Sequence, residues 1–257
     1  MTWQTMEVVR DGAVLEVRLN RPAQLNAFDW EMTGELTELW KQTAQDRSVR
    51  VVVLTGAGRA FCAGADVSDL AGARRPRGDG VGDELAFLPG PHLDVPVIVA
   101  VNGVCAGGGL HFVADGDIVI ASEAASFVDP HVSVGQVSAL EPVSLAFRVP
   151  VPRLLRLALL GKTERLTAKD ALSIDLVTEV VAADDLDVRA RELAAQIVAA
   201  SPAAVAATRR AIRDVEAALL GPFMERGWTA VQAHWDHPDS SEGPVAFAER
   251  RPPRWQA

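Results

Sequence analysis

The segment "AVLEVRLN" alternates apolar and polar positions, the period of a half-buried strand, and Pro22 ends it. "DWEMTGELTELWKQTAQD" changes period. Met32, Leu36, Leu39 and Trp40 recur at helical spacing behind Asp29, which can cap the first turn. "VRVVVLTG" and "VPVIVAVNG" are short and continuously apolar, as strands covered on both faces are, and "GDIVIA" shares that character. Strands alternating with helices predict an α/β fold. Between strands, "DLAGARRPRGDGVGDELAFLPG" carries five glycines and three arginines with little periodicity, and reads as a surface segment able to close over a site.

From about Pro150 the pattern turns helical. "VPRLLRLALLG" predicts an apolar helix closed by Gly161, and "LTAKDALSIDLVTEVV" a short capped helix leading into a strand. "SPAAVAATRRAIRDVEAALLG" predicts a helix capped by Ser201, with Pro202 in its first position and Gly221 as its stop. A further helix precedes "HWDHPDSSEGPVAFAERRPPRW", where Ser241 as cap would place Pro244 inside a first turn. Residues 1–200 therefore read as the core, and 201–257 as a helical region that packs on its own core or on a neighbouring subunit.

Composition narrows the function. The chain has 257 residues, 49% of them hydrophobic, which suits a folded core. A net charge of −9 argues against a general nucleic-acid binder, while local arginines could still hold an anion. No apolar run reaches the ~18 residues of a membrane span, so no membrane partner is expected. "MTWQTMEVVRDG" lacks the basic start and apolar stretch of a signal peptide. Cys62 and Cys105 stand far apart without CxxC spacing, which speaks for a reducing, cytoplasmic setting over a disulfide framework or structural zinc. Flanked by apolar or small residues, both read as inert.

Two stretches could gather bare N–H groups. "GAGRAFCAGADVSDL" places Ala63-Gly64-Ala65-Asp66 after a buried strand ending at Thr55, and "AGGGLHF" puts three glycines before a helix starting near Gly108. Glycine costs backbone entropy, so a run of three suggests that something approaches the peptide closely. One N–H from each stretch, aimed at a single oxygen, would make an oxyanion hole, where one donor is worth about 3 kcal/mol in a dry site. "GAGRAF" is not a dinucleotide fingerprint, because Phe61 stands at the third glycine position. "AGGGLHF" lacks the lysine and hydroxyl pair of a phosphate loop.

Together, "VVVLTGAGRAFCAGADVSDL" and "VPVIVAVNGVCAGGG" resemble the enoyl-CoA hydratase/isomerase (crotonase) family. So do "ERLTAKDALSIDLVTEVV", "SPAAVAATRRAI" and "SEGPVAFAERRPPRW", in the same order. The resemblance implies a spiral of ββα turns, a C-terminal helical trimerisation region, and assembly as a homotrimer or a hexamer of two trimers. It implies acyl-CoA thioester substrates, with coenzyme A part of the substrate and no further cofactor or metal. The N–H groups of Ala65 and Gly108 would hold the thioester oxygen as it becomes enolate-like. Leu25, Ala63, Gly64, Asp66 and Gly107 fall on substrate-binding positions. Phe247 and Arg250 fall in a C-terminal segment that in relatives reaches the coenzyme A of an adjacent subunit, with Arg250 where lysine is frequent.

The chain departs from the family at its acid/base groups. Of the two glutamates of hydratases, one falls two residues after the last of the three glycines, here His111, and the other after a proline, here His131 of "FVDPHVSVG". Histidine, with a reference pKa of about 6.5, can give or take a proton at neutral pH, and a pH–rate profile bending within about a unit or two of that value is expected. Each histidine could instead be a core or interface side chain. Glu141 lies close to where some family members keep a further carboxylate; it could orient a histidine, act as a base, or be a partly solvated surface group. Asp129, beside Pro130, reads as a turn residue. His234 and His237 are spaced like a metal pair but lack companion ligands, so no metal is expected. Arg74, Arg75 and Arg77 could meet coenzyme A phosphates or form a solvated basic run. Hydration or dehydration, isomerisation, carbon–carbon cleavage, hydrolysis, and binding without turnover all remain open.

Overall fold

The computed structural model describes residues 2–66 and 78–256. "AVLEVRLN" forms β2 (Val14–Leu19), and its partner is an antiparallel strand the pattern did not single out, β1 (Met6–Asp11). Gly12, at φ +54°, makes the tight turn between them. α1 (Trp30–Gln45) begins where expected: the Asp29 carboxylate accepts the Met32 N–H at 2.8 Å, and Met32, Leu36, Leu39 and Trp40 are buried.

A repeating unit then organises the chain. β3 (Val51–Gly56) leads into β4 (Ala60–Cys62). Past the short α2 (Val81–Glu84), β5 (Val97–Val101) leads into β6 (Val104–Ala106) and α3 (Gly109–Asp115). β7 (Ile118–Ser122) leads into β8 (Ser126–Val128) and, after a 3-10 turn at His131–Val134, into α4 (Leu140–Ser144). α5 (Val151–Leu160), β9 (Arg165–Thr167), α6 (Ala168–Ser173), β10 (Glu179–Val181) and α7 (Leu186–Ala199) follow. The first strand of each pair enters a six-stranded sheet in the order β1-β2-β3-β5-β7-β10, and the second a four-stranded sheet in the order β4-β6-β8-β9. This is the spiral of ββα turns.

The continuously apolar strands are explained by two cores. One set of side chains, including Val52, Leu54, Val97, Val99 and Val119, joins the main core with Trp40, Phe61, Phe112 and Phe127. The alternate set, Val51, Val53, Ile98, Ala100 and Ile120, packs on Leu186, Ala190 and Ala194 of α7. The glycine-rich segment is less uniform than its composition suggests. Its first part, with Arg74, Arg75 and Arg77, lies outside the described residues, while Phe87 and Leu88 at its end are buried in the main core.

The C-terminal helices correct two expectations. α8 (Pro202–His234) starts at Ser201 as predicted but runs through Gly221 and Pro222. Packing outweighs the ~3 kcal/mol that an internal proline costs: beyond it, Gly227 lies against Ala139 and Leu140, and Trp228 is buried. α9 (Pro238–Ala248) is capped by His237, whose Nδ1 accepts the Asp239 N–H at 3.2 Å, so Pro244 sits in the helix interior and not in its first turn. Gly243 permits the approach, since a Cβ there would meet the Val134 carbonyl. The region folds over its own core.

Asp117 anchors the first part of α8, pairing with Arg209 at 2.7 Å and Arg213 at 2.9 Å and accepting the Val97 N–H at 2.8 Å. All three side chains are at most 22% exposed. Asp117→Ala leaves the half-buried Arg209 guanidinium without its carboxylate and Arg213 with Glu216 alone, and should lower unfolding free energy by about 3 kcal/mol in urea titration at fixed protein concentration.

Candidate active site

The site forms where β4, β6 and β8 end. These strands are parallel neighbours, so the segments that leave them emerge side by side. After β4 the chain passes Ala63 and Gly64 to Ala65, which bridges Phe28. The bridge uses the Gly64 carbonyl, accepting from Phe28 N–H, and the Asp66 N–H, donating to the Phe28 carbonyl, and it passes over the Ala65 N–H. After β6, Gly107 takes φ +51° and Gly108 caps α3.

Bare backbone is required at these turns. A Cβ on Gly64, at φ +90°, would stand 3.0 Å from the Gly108 nitrogen and 2.8 Å from the Ala106 carbonyl. A Cβ on Gly108 would stand 2.6 Å from the Phe28 ring and 3.7 Å from the Ala65 nitrogen. A Cβ on Gly107 would lie 3.5 Å from His131 Cε1. The Ala65 and Gly108 amides, the glycine run and His131 thus share one small space. The rest of "GAGRAFCAGADVSDL", from Val67 on, lies outside the described residues.

His111, on the first turn of α3, is buried, and its Nε2 lies 3.1 Å from Glu141 Oε1. His131 opens the 3-10 turn after β8, with Nε2 3.5 Å from the same Glu141 oxygen. Glu141 is 6% exposed, so it is no surface group. Its carboxylate is the hinge between the two histidines the sequence had singled out. Burial disfavours its charge, but the imidazoles of His131 and His111 outweigh that and hold it well below the usual carboxylate range.

Asp129 was missed as a site residue. It is 1% exposed, and its Oδ1 accepts from His131 Nδ1 at 2.6 Å while its Oδ2 accepts from the Ser138 hydroxyl. An aspartate two residues before a candidate histidine was the available signal, and Pro130 between them disguised it as turn chemistry. Burial pulls the His131 pKa down, but the negative charges of Glu141 and Asp129 carry it up to about 9. His131 thus titrates above the neutral range expected of an ordinary histidine.

Other candidates are placed variously. The Leu25 carbonyl accepts the Ala63 N–H at 3.1 Å, which fixes both beside the Ala65 turn. Asp66 is paired with Arg21 at 3.1 Å, and that guanidinium also holds Asp29. Phe247 is exposed on α9, and Arg250 follows it, exposed, at φ +54°. His234 and His237 stack at 5.0 Å, and His234 Nε2 donates to the Gly135 carbonyl. Cys62 and Cys105 are buried thiols, Cys62 pushed up to about 12 by burial. Beside His111 opens a cavity of about 560 Å³, walled by Leu85, Leu88 and Ala114 on one side and Leu220 and Met224 of α8 on the other.

The enoyl-CoA hydratase/isomerase family model matches residues 10–257, and the chain belongs to that family. It is 34% identical to a carnitinyl-CoA dehydratase of Proteus mirabilis over 98% of both chains. It is also 34% identical to an (E)-benzylidenesuccinyl-CoA hydratase of Thauera aromatica over 98% of both. A crystal structure of an enoyl-CoA hydratase/isomerase from Pseudoalteromonas atlantica superposes with a TM-score of 0.89 at 30% identity, covering 98% of this chain and 100% of that one. A carnitinyl-CoA hydratase from Mycobacterium avium gives 0.86 at 33% identity, over 99% of each. The protein is an enzyme of this crotonase family.

The His131 ion pair makes stability depend on pH. The folded pKa, about 9, lies above the ordinary value of ~6.5, so the contribution is fully present below pH ~6.5 and is lost as pH rises through 9. Urea titrations between those limits should show stability falling with pH, by at most about 1.4 kcal/mol per unit for this proton. Glu141→Gln should flatten that slope.

Proposed function

We propose that the enzyme adds water to, or removes it from, an acyl-CoA thioester through an enolate held on the N–H groups of Ala65 and Gly108. The observation that carries this reading is the cluster of buried His111 and Glu141 with half-buried His131 beside that amide pair. In the dehydration direction, a base of the cluster takes the proton α to the thioester carbonyl, and the electron pair moves onto the carbonyl oxygen. Two amide donors aimed at that oxygen stabilise it most when its charge is greatest. Collapse of the enolate then expels the β-hydroxyl, which leaves as water with a proton from an imidazolium. The relatives named as hydratases and dehydratases support this direction of chemistry. The cavity beside His111 gives the acyl group a place, and coenzyme A belongs to the substrate. Two free, buried cysteines accord with a reducing, cytoplasmic setting.

Mass spectrometry of products from a diverse acyl-CoA panel tests the proposal, and substrate and product should differ by one water. His111→Gln and His131→Gln should each lower turnover by about 10²–10⁴ while acyl-CoA binding persists. Release of free coenzyme A, or binding without turnover across the panel, would overturn it.

Assembly as homotrimers, or hexamers built from two of them, belongs to the same proposal. Ile212, Val215, Leu219 and Phe223 follow one another along a face of α8, and all are more than half exposed. Phe147, Ile212 and Val215 line one groove. Apolar side chains so arranged on a chain whose core is complete mark a contact between copies. In the assembly, Phe247 and Arg250 reach the coenzyme A held by a neighbouring copy. Sedimentation velocity at micromolar concentration should give a trimer or hexamer, and Ile212→Glu with Leu219→Glu should shift it toward monomer.

A further inference from the structure

The two histidines occupy corresponding family positions, yet their surroundings are unequal. His131 has a carboxylate at each end of its ring: Asp129 Oδ1 lies 2.6 Å from Nδ1, and Glu141 Oε1 lies 3.5 Å from Nε2. A neutral imidazole donates from one nitrogen only, whereas the doubly protonated ring serves both carboxylates. Asp129 also accepts the His131 backbone N–H at 3.2 Å, and the Ser138 hydroxyl holds its second oxygen. Its one ion-pair partner among the described residues is His131. A buried carboxylate with a single basic group beside it is costly unless that group is protonated.

His111 differs. Its Nε2 faces Glu141, but its Nδ1 is buried with no hydrogen-bond partner among the described residues. A lone pair is more cheaply left unpaired in a buried place than an N–H. His111 is accordingly the neutral ring, with its proton on Nε2.

We propose that Asp129, anchored by Ser138, is a positioning residue that holds His131 as an imidazolium with its Nε2–H aimed at Glu141, making His131 the proton donor of the site and His111 its neutral base. The assignment of donor and base rests on the proposed acyl-CoA reaction; the clamp on His131 does not. Asp129 and Glu141 are the charges that raise the His131 pKa. Ionisable groups on elements packed against its turn are committed elsewhere or turned outward. On α9, His237 caps the helix and Glu242 pairs with Arg251, while Asp239 accepts the Gln256 N–H. At the end of α8, His234 donates to the Gly135 carbonyl. On α5, Arg156 pairs with Glu164 and Arg153 is exposed, as is Lys162 after that helix.

Nuclear magnetic resonance of the full-length protein, labelled at its histidine rings, reads the clamp directly. His131 should titrate near pH 9. Asp129→Asn should lower the His131 midpoint by at least one pH unit, and Ser138→Ala should lower it by less. In turnover, the basic limb of the pH–rate profile should move down with the midpoint in both variants. A His131 midpoint unmoved in both variants would overturn the proposal and leave Asp129 as a turn residue. Midpoints that move while the basic limb stays would overturn the donor role. If no acyl-CoA is turned over, the ring titrations alone decide the clamp, so its failure and that of the proposed reaction are distinguishable.

Discussion

Parallel pairing of β4, β6 and β8 is the constraint on which the site depends. Each strand is three residues long, and each ends where a loop must leave the sheet. Because the strands run in one direction, three segments far apart in sequence emerge together. The first carries Ala65, the second Gly108 and His111, and the third Asp129, His131 and Glu141. An antiparallel neighbour would send its loop to the opposite edge. The one antiparallel strand of this sheet, β9, lies outside β8 and supplies none of these groups.

Closeness at that edge is bought with side chains. The amides of Ala65 and Gly108 approach because Gly64 and Gly108 have no Cβ, and Phe28 fills the space behind Gly108. The same density excludes water, which raises the cost of every charge placed there. The four ionisable groups meet that cost in sequence. Ser138 holds Asp129, Asp129 holds His131, and Glu141 receives both His131 and His111. Alternation of carboxylate and imidazole allows each buried charge a neighbour of opposite sign. A pair of glutamates on the two histidine positions would set three carboxylates around one point, so Glu141 and the histidines suit each other.

The C-terminal region serves both the core and an outer surface. Asp117 joins α8 to the spiral through Arg209 and Arg213, and Gly243 lets α9 cross the turn that carries His131. The outward face of α8 keeps its isoleucine, valine, leucine and phenylalanine uncovered. One helix thus steadies the site from behind and presents apolar surface away from it.

Local patterning alone determined much of this molecule. Periodicity placed the buried strands and α1, capping chemistry placed the starts of α1 and α8, and the glycine run marked a close backbone approach. Family motifs pointed to His111, His131, Ala65 and Gly108. These are short-range signals, because a turn, a cap or an apolar stripe is written within a few residues. Where long-range packing competes with local preference, the sequence misled: α8 continues through Gly221 and Pro222 because, beyond them, Gly227 packs against Ala139 and Leu140 and Trp228 is buried. The partnership of Glu141 with two histidines, and the burial of Asp129, exist only once the spiral stacks its turns. Their protonation follows from distance and exclusion of water, and neither quantity is carried by any residue alone. That is why the histidines were legible as candidates, while their inequality was decided by tertiary structure.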